Sequence, residues 1–194
     1  MLEVRVELTM SDIENEIIFG KGDNIWNACL DNHLNFNQLA EHYLESANAL
    51  IKITARDRSK LDVYIYTAVF LYRHSVELLL KALICRSNYL LGKDKTFSKH
   101  HHLLGLWQTL KSNAISILAS DFPMSKEQVQ HVETILKEIM KYDPESDSFR
   151  YPFDKKMKRT NSCIHYINVI NLYEQFNQLH EYFDPLFYMF YAYD

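Results

Sequence analysis

The scarcity of glycine and proline is the feature of this sequence that most limits the folds open to it. Among 194 residues there are only four Gly and four Pro, about a third of their average usage. All-β sandwiches and barrels need turn residues at roughly every 8–12 positions, so the composition argues against them. Because 47% of the residues are hydrophobic, the chain also differs from disordered proteins. We therefore expect an all-α chain that folds as a single domain over residues 1–194.

The net charge limits the ways in which this chain can bind nucleic acid. The formal charge is −4 with His neutral, and the sequence pI is about 6.1. Domains that bind nucleic acid through their overall charge usually have a pI above about 9. Any contact with RNA is therefore expected to depend on a local basic patch.

The cysteines and the apolar segments indicate a protein of the reduced cytoplasm. Cys29, Cys85 and Cys163 form no CxxC pair, which argues against a disulfide framework and against a thiolate zinc site. The longest uncharged apolar stretch, Val63–Tyr72, has ten residues, whereas a bilayer-spanning helix needs about 20. We expect no cofactor and no membrane insertion.

Hydrophobic spacing predicts a small β element followed by a helical body over residues 35–183. Residues 2–8 alternate between apolar and charged side chains, so residues 1–22 are predicted to form a hairpin, with residues 17–19 as its second strand. Apolar residues then recur at helical spacing. The predicted helices begin near Asn35, Lys60, His102, Ser125 and Ile164.

Two details of these helices can be predicted more closely. Ser59 is the expected N-cap of the second helix, and Ser125 with Gln128 fits a capping box at the fourth. The second helix is apolar around most of its circumference from Val63 to Tyr72, which is typical of a helix at the buried centre of a bundle.

A charged stripe interrupts this apolar helix. Arg73, Glu77 and Lys81 are four residues apart, so they share one helical face and can form successive ion pairs. They are either a salt-bridge ladder on a solvated edge or a charged stripe that lines a cleft, where each charge must be paired or functional.

Three adjacent histidines, His100, His101 and His102, precede the third helix. Neighbouring residues of an extended segment point in different directions, so the three side chains are poorly placed to bind one metal ion. We expect at least one of them to cap the helix instead.

The order and spacing of several short motifs resemble those of HEPN domains (higher eukaryotes and prokaryotes nucleotide-binding). The central pattern is carried by Glu77-Leu78-x-Leu80-Lys81 and, after a polar loop, His101-x-Leu103-x-x-Leu106-Trp107. Asp143-Pro144 and Ser148-Phe149-Arg150-Tyr151-Pro152 are similar to a segment of bacterial members. The resemblance covers roughly residues 35–183 and implies a bundle of about five helices that often dimerises.

The resemblance also implies an activity. Catalytic HEPN members are metal-independent endoribonucleases of toxin, antiphage or CRISPR-linked systems, and their signature is an Arg followed, after four to six residues, by a His near the start of a late helix. Arg159 and His165 fit this spacing. His165 would act as general base or acid and Arg159 as phosphate clamp, while Arg73, Glu77, Lys81 and His101 would orient the site without touching RNA.

A basic segment adjoins this pair. Five cations stand against one carboxylate, Asp154: Arg150, Lys155, Lys156, Lys158 and Arg159. These cations can hold an RNA backbone, and Tyr151 and Phe153 can stack on bases. The expected partners are RNA, a second copy of the chain in a homodimer, and an antitoxin or defence-system protein.

Alternatives stay open at this point. The basic segment can be a solvated edge, with His165 hydrogen-bonded in the core. The chain can also be a non-catalytic HEPN-like module that binds a nucleotide, a nucleic acid or a protein partner, or a purely structural subunit.

The C-terminal segment is unusually aromatic. Seven of the twelve residues from Tyr182 to Tyr193 are Phe or Tyr, and none is Lys or Arg. The last part, residues 184–194, is expected to form an aromatic tail that is either partly buried against the bundle or part of an interface.

Overall fold

The computed structural model describes residue 28 and residues 34–94 and 100–192. Its helices belong to one compact unit, residues 35–194. The β element predicted for residues 1–22, and Cys29, lie outside the described residues.

Five α-helices form the described part of the chain, as the sequence predicted. They are α1 (Phe36–Arg56), α2 (Leu61–Leu90), α3 (Leu103–Leu118), α4 (Lys126–Tyr142) and α5 (Val169–Tyr191), with short 3₁₀ turns at Arg58–Lys60 and Ala119–Asp121. Within the described ranges no residue belongs to a β-strand beyond one isolated bridge. None of the described helices has the length and apolar composition that a membrane-spanning helix needs.

Side-chain caps fix where several helices begin. The Asn35 Oδ1 atom accepts from the Gln38 N–H at 3.0 Å, and Gln38 Oε1 accepts from the Asn35 N–H at 3.1 Å. The same reciprocal arrangement joins Ser125 and Gln128, which confirms the predicted capping box. Each such cap satisfies two of the backbone donors that a helix start leaves free.

The predicted N-cap at Ser59 is wrong. The residue before α2 is Lys60, which makes no side-chain cap. Asp57 instead accepts from the Ser59 N–H at 3.0 Å and caps the short 3₁₀ turn. The Ser59 hydroxyl donates to Asp57 Oδ1 at 2.7 Å, and Ser59 lies inside the 3₁₀ turn, so its side chain does not cap α2.

The central helix of the bundle is α2, which packs against α1, α3 and α5. Its buried section begins at Ala68 and includes Tyr72 and Leu80. The expectation that Val63–Tyr72 is buried is therefore wrong in its first half: Val63 is 62% exposed and Tyr66 is 52% exposed. At this end of α2 the Tyr66 ring contacts Phe149, which belongs to a loop. A loop covers less of the helix surface than a packed helix does.

The last helix differs from its prediction at both ends. It begins at Val169, five residues after Ile164, because the Asn168 side chain accepts from the Ile170 and Asn171 N–H groups. It continues to Tyr191 with Pro185 inside it, so the aromatic tail is helical as far as Tyr191. Some of its aromatic side chains, such as Phe190, are buried, whereas Tyr188 is 76% exposed.

Candidate functional site

The charged stripe of α2 forms a buried ion network. Arg73, Glu77 and Lys81 are all buried. The Glu77 carboxylate accepts from Arg73 Nη1 at 2.9 Å and from Lys81 Nζ at 2.8 Å, and His101 Nδ1 lies 2.7 Å from its Oε1 atom. The predicted ion pairs are confirmed. Of the two alternatives for the stripe, the solvated edge is wrong, because all three side chains are buried.

A second carboxylate, Asp143, completes the network. Its Oδ2 atom lies 3.1 Å from Arg73 Nε, and its Oδ1 atom accepts from the Ser148 N–H at 2.9 Å. Arg73 Nη2 also donates to the carbonyl of His101 at 2.9 Å. Two cations are thus balanced by two carboxylates, as buried charges require. The network links α2 to the start of α3 and to residues 143–168, which we call the connecting segment.

The pKa of Glu77 shows that the network is built to stay charged. Burial acts to raise the pKa of this carboxyl, but hydrogen bonds from Lys81 and His101 and their positive charges outweigh burial and hold the pKa below its ordinary value. Glu77 is therefore ionised at neutral pH and occupied by its donors. This is the environment of an orienting residue rather than of a proton acceptor.

The three adjacent histidines have separate structural roles. His102 Nδ1 accepts from the Gly105 N–H at 3.0 Å and caps α3, as predicted, while His100 Nδ1 accepts from the His102 N–H at 3.2 Å. His101 contacts Glu77. Among the described residues, no three His, Cys, Asp or Glu side chains are grouped so that they could hold a metal ion.

The basic residues lie on an exposed hairpin within the connecting segment. An antiparallel bridge joins Phe153 to Arg159. Between them, Asp154 Oδ1 accepts from the Lys156 and Lys158 N–H groups at 2.8 and 2.9 Å. These bonds, first among them the one from Lys158, lower the pKa of Asp154. We call residues 153–159 the basic hairpin; its lysines, Lys155, Lys156 and Lys158, are all exposed.

Arginine side chains lie over the two aromatic rings that were expected to stack on bases. The Arg159 guanidinium lies 5.5 Å from the centre of the Phe153 ring. Arg150 lies 5.2 Å from the Tyr151 ring and also pairs with Asp147 at 2.7 Å. Cation–π contacts of this kind pre-orient the guanidinium groups, and they leave less of Tyr151 and Phe153 open for bases than the sequence suggested.

His165 is exposed and lines two grooves, so the alternative of a core histidine is wrong. It lies four residues before α5 rather than at the helix start, because Asn168 caps that helix. Arg159 is not among the described residues that line these two grooves. The structure thus brings His165 to the grooves and leaves Arg159 on the basic hairpin, outside their lining.

The larger groove measures about 600 Å³ and lies between α4, α5 and the connecting segment. Arg73 and Asp143 from the buried network line it together with His165. On its wall, His131 Nε2 lies 2.7 Å from Gln175 Oε1. Sequence reasoning missed His131, although its position one turn before Ile135 places a polar ring on the inward face of α4.

Comparisons with known proteins found no match for this chain. No protein-family model matches the sequence, and no curated protein or solved structure shows significant similarity to it. Function therefore has to be argued from the site itself.

Proposed function

We propose that this chain is a HEPN-like, metal-independent endoribonuclease of the toxin or phage-defence type. Its main support is the placement of His165, an exposed imidazole that lines two grooves on the same segment that carries the basic hairpin. His165 acts as general base or acid, and Arg159 clamps the phosphate. The lysines of the hairpin hold the RNA backbone.

The proposed reaction is attack by the RNA 2′-OH on the neighbouring phosphate. Histidine is the side chain that takes up and releases protons near neutral pH, so His165 can remove the 2′-OH proton as the oxygen attacks. The P–O bond to the 5′-oxygen breaks, and this oxygen receives a proton from an acid or from water. The products are a 2′,3′-cyclic phosphate and a 5′-hydroxyl, and no metal ion is required.

Charge develops on the phosphate during this step, and Arg159 is placed to stabilise it. A planar guanidinium can contact two phosphate oxygens at once. Because Arg159 lies on the hairpin outside the grooves, the scissile phosphate must lie between the hairpin and His165. The exposed cations Lys155, Lys156 and Lys158 draw the strand to this position.

The buried ion network supports this site from behind. Asp143 pairs with Arg73 and accepts from the Ser148 backbone, while Asn161 Nδ2 and Thr160 Oγ1 both donate to the Ser148 carbonyl. These bonds join the residues on either side of the hairpin to one another and to α2. Arg73, Glu77, Lys81 and His101 thus orient the site without contacting RNA. A homodimer that places two hairpins across one cleft, and an antitoxin or other defence-system partner, complete the proposal.

A second candidate is a non-catalytic HEPN-like module that binds RNA, a nucleotide or a protein partner. It is favoured by one observation: Arg159 does not line the grooves that His165 lines, within the residues described for them. In this case the basic hairpin binds without cleavage.

Cleavage of a labelled single-stranded RNA in the presence of EDTA tests the proposal. The wild type should produce 2′,3′-cyclic phosphate ends, and His165→Ala should lower the rate by about 100-fold or more. Arg159→Ala should lower it as well. His42→Ala and Arg56→Ala are matched controls, because both residues are exposed on α1, and both should cleave at the wild-type rate.

Two results would count against the enzyme. A rate that His165→Ala leaves unchanged would place the chemistry elsewhere. A wild type that binds RNA without cleaving it would support the non-catalytic module.

A further inference from the structure

The smaller groove beside His165 is lined by aromatic and aliphatic side chains. It measures about 490 Å³ and lies between the first two turns of α2 and residues 161–170, within the range of roughly 300–1,000 Å³ typical of small-molecule sites. Its aromatic residues are Tyr66, Phe149 and Tyr166. We call it the aromatic groove.

Two of these three rings are exposed, and one of them, Tyr66, lies in the part of α2 that was expected to be buried. Tyr166 is 95% exposed and Tyr66 is 52% exposed, and the Tyr66 ring lies 6.2 Å from that of Phe149 at a tilt of 52°. By contrast, Tyr72, less than two turns further along α2, is buried and stacks at 4.9 Å on Phe176. Exposed aromatic rings that line one groove indicate a binding surface.

Positive charge and polar groups flank the aromatic groove. The Arg150 guanidinium lies 5.7 Å from the centre of the Phe70 ring. Phe70 is one turn after Tyr66 on α2, and the basic hairpin follows Arg150 in the chain. The groove is also lined by Asp62, whose exposed carboxylate can accept a hydrogen bond from an amino group of a base. Stacking rings beside backbone-binding cations are the combination that single-stranded nucleic acid requires.

We propose that the aromatic groove binds an unpaired nucleobase, which stacks on the exposed rings of Tyr66 and Tyr166. The inference rests on the proposed contact with RNA, because the cations of the hairpin bind the adjoining phosphates. A base in a duplex stays stacked on its neighbours and cannot enter such a groove, whereas a base in a single strand or loop can. The groove therefore selects a flexible strand and places one base next to His165.

Binding of a single-stranded 2′-O-methyl oligonucleotide that contains one 2-aminopurine tests this site. The fluorescence of 2-aminopurine falls when it stacks on an aromatic ring. Tyr66→Ala and Tyr166→Ala should each weaken binding about tenfold and reduce this quenching, while Tyr166→Phe should bind as the wild type does. Tyr188→Ala is the matched control, because Tyr188 is 76% exposed near the other end of α5, and it should leave binding unchanged.

The test separates this site from the proposed cleavage. The 2′-O-methyl groups remove the attacking hydroxyl, so binding is measured whether or not the chain is an enzyme. If ordinary RNA is not cleaved but the tyrosine variants lose quenching, the nuclease is contradicted and the base site stands.

Two outcomes would overturn the base site. One is that Tyr66→Ala and Tyr166→Ala bind the oligonucleotide as Tyr188→Ala does. The other is that they leave this binding intact but weaken self-association in sedimentation experiments, since the groove would then be an interface between copies of the chain.

Discussion

The molecule has two clusters of charge that differ in burial and in balance. The network on α2 is buried, and its two cations, Arg73 and Lys81, are matched by the carboxylates of Glu77 and Asp143. The basic hairpin is exposed and carries three lysines and Arg159 against Asp154. One cluster satisfies its own charges, and the other presents most of its charge to solvent.

This difference separates stability from ligand binding. An unpaired charge in the interior costs several kcal/mol, so the buried network has to be complete, and removing any member should destabilise the fold. An exposed cation loses little when it has no partner, so the hairpin can keep positive charge for a phosphate backbone. We expect substitutions in the first cluster to change unfolding and substitutions in the second to change RNA binding.

The largest effect is expected from Glu77→Gln. The neutral amide leaves Arg73 and Lys81 without their shared carboxylate in a buried site, so the free energy of unfolding should fall by about 3–5 kcal/mol. Urea unfolding followed by circular dichroism measures this change.

Glu133→Gln is the matched control for that experiment. Glu133 accepts from Lys111 at 2.7 Å at a partly exposed position, so its loss should cost about 1 kcal/mol or less. Equal effects of the two substitutions would remove the distinction between buried and exposed charge.

Burial also makes the stability of the fold depend on pH, through His180. His180 is buried, with its Nε2 atom 3.1 Å from Ser75 Oγ, and burial lowers its pKa to about 4. Because this value lies below the ordinary value of 6.5, the folded state favours the neutral ring. Its contribution is complete above about pH 6.5 and is lost as the pH falls towards 4, by about 3 kcal/mol in all.

His180→Gln should therefore flatten the decline in stability between pH 7 and pH 4. Unfolding free energies at both pH values measure the difference between variants. A His180→Gln protein that loses as much stability as the wild type would contradict the account.

A smaller effect is expected where the buried contact is neutral. The Tyr72 hydroxyl donates to Asn48 Oδ1 at 2.6 Å, and Asn48 also bonds to Asn177. Tyr72→Phe removes one neutral hydrogen bond and should lower the free energy of unfolding by about 1 kcal/mol. RNA affinity should not change. A loss as large as that of Glu77→Gln would show that charge is not what distinguishes the network.

Much of the fold could be predicted because it depends on local pattern. Helical spacing located five helices, and the Ser125–Gln128 box was visible as a short motif. The three adjacent histidines indicated that at least one of them caps α3, and the structure shows that it is His102. The start of α5 was missed, because apolar residues such as Ile164 and Ile167 continue the helical spacing into a non-helical segment. Their pattern reflects the grooves that they line and not a helix.

The site could be predicted only in part, because its contacts join residues far apart in the chain. Spacing of four residues revealed the Arg73–Glu77–Lys81 pairs, but nothing local indicated that Asp143 would join them. Apolar content suggested that Tyr66 was buried, whereas exposure depends on which element covers the start of α2. The roles of Arg159 and His165 in cleavage stay a prediction.

The central claim is that the exposed charges of the basic hairpin bind the RNA backbone. Its most direct test is the salt dependence of binding of a single-stranded 2′-O-methyl oligonucleotide to the wild type and to a variant with Lys155, Lys156 and Lys158 changed to Gln. Each phosphate contact contributes about 0.7 to the slope of log K against log salt for a single strand. The account predicts a slope about 2 less steep in the variant. An unchanged slope would contradict it.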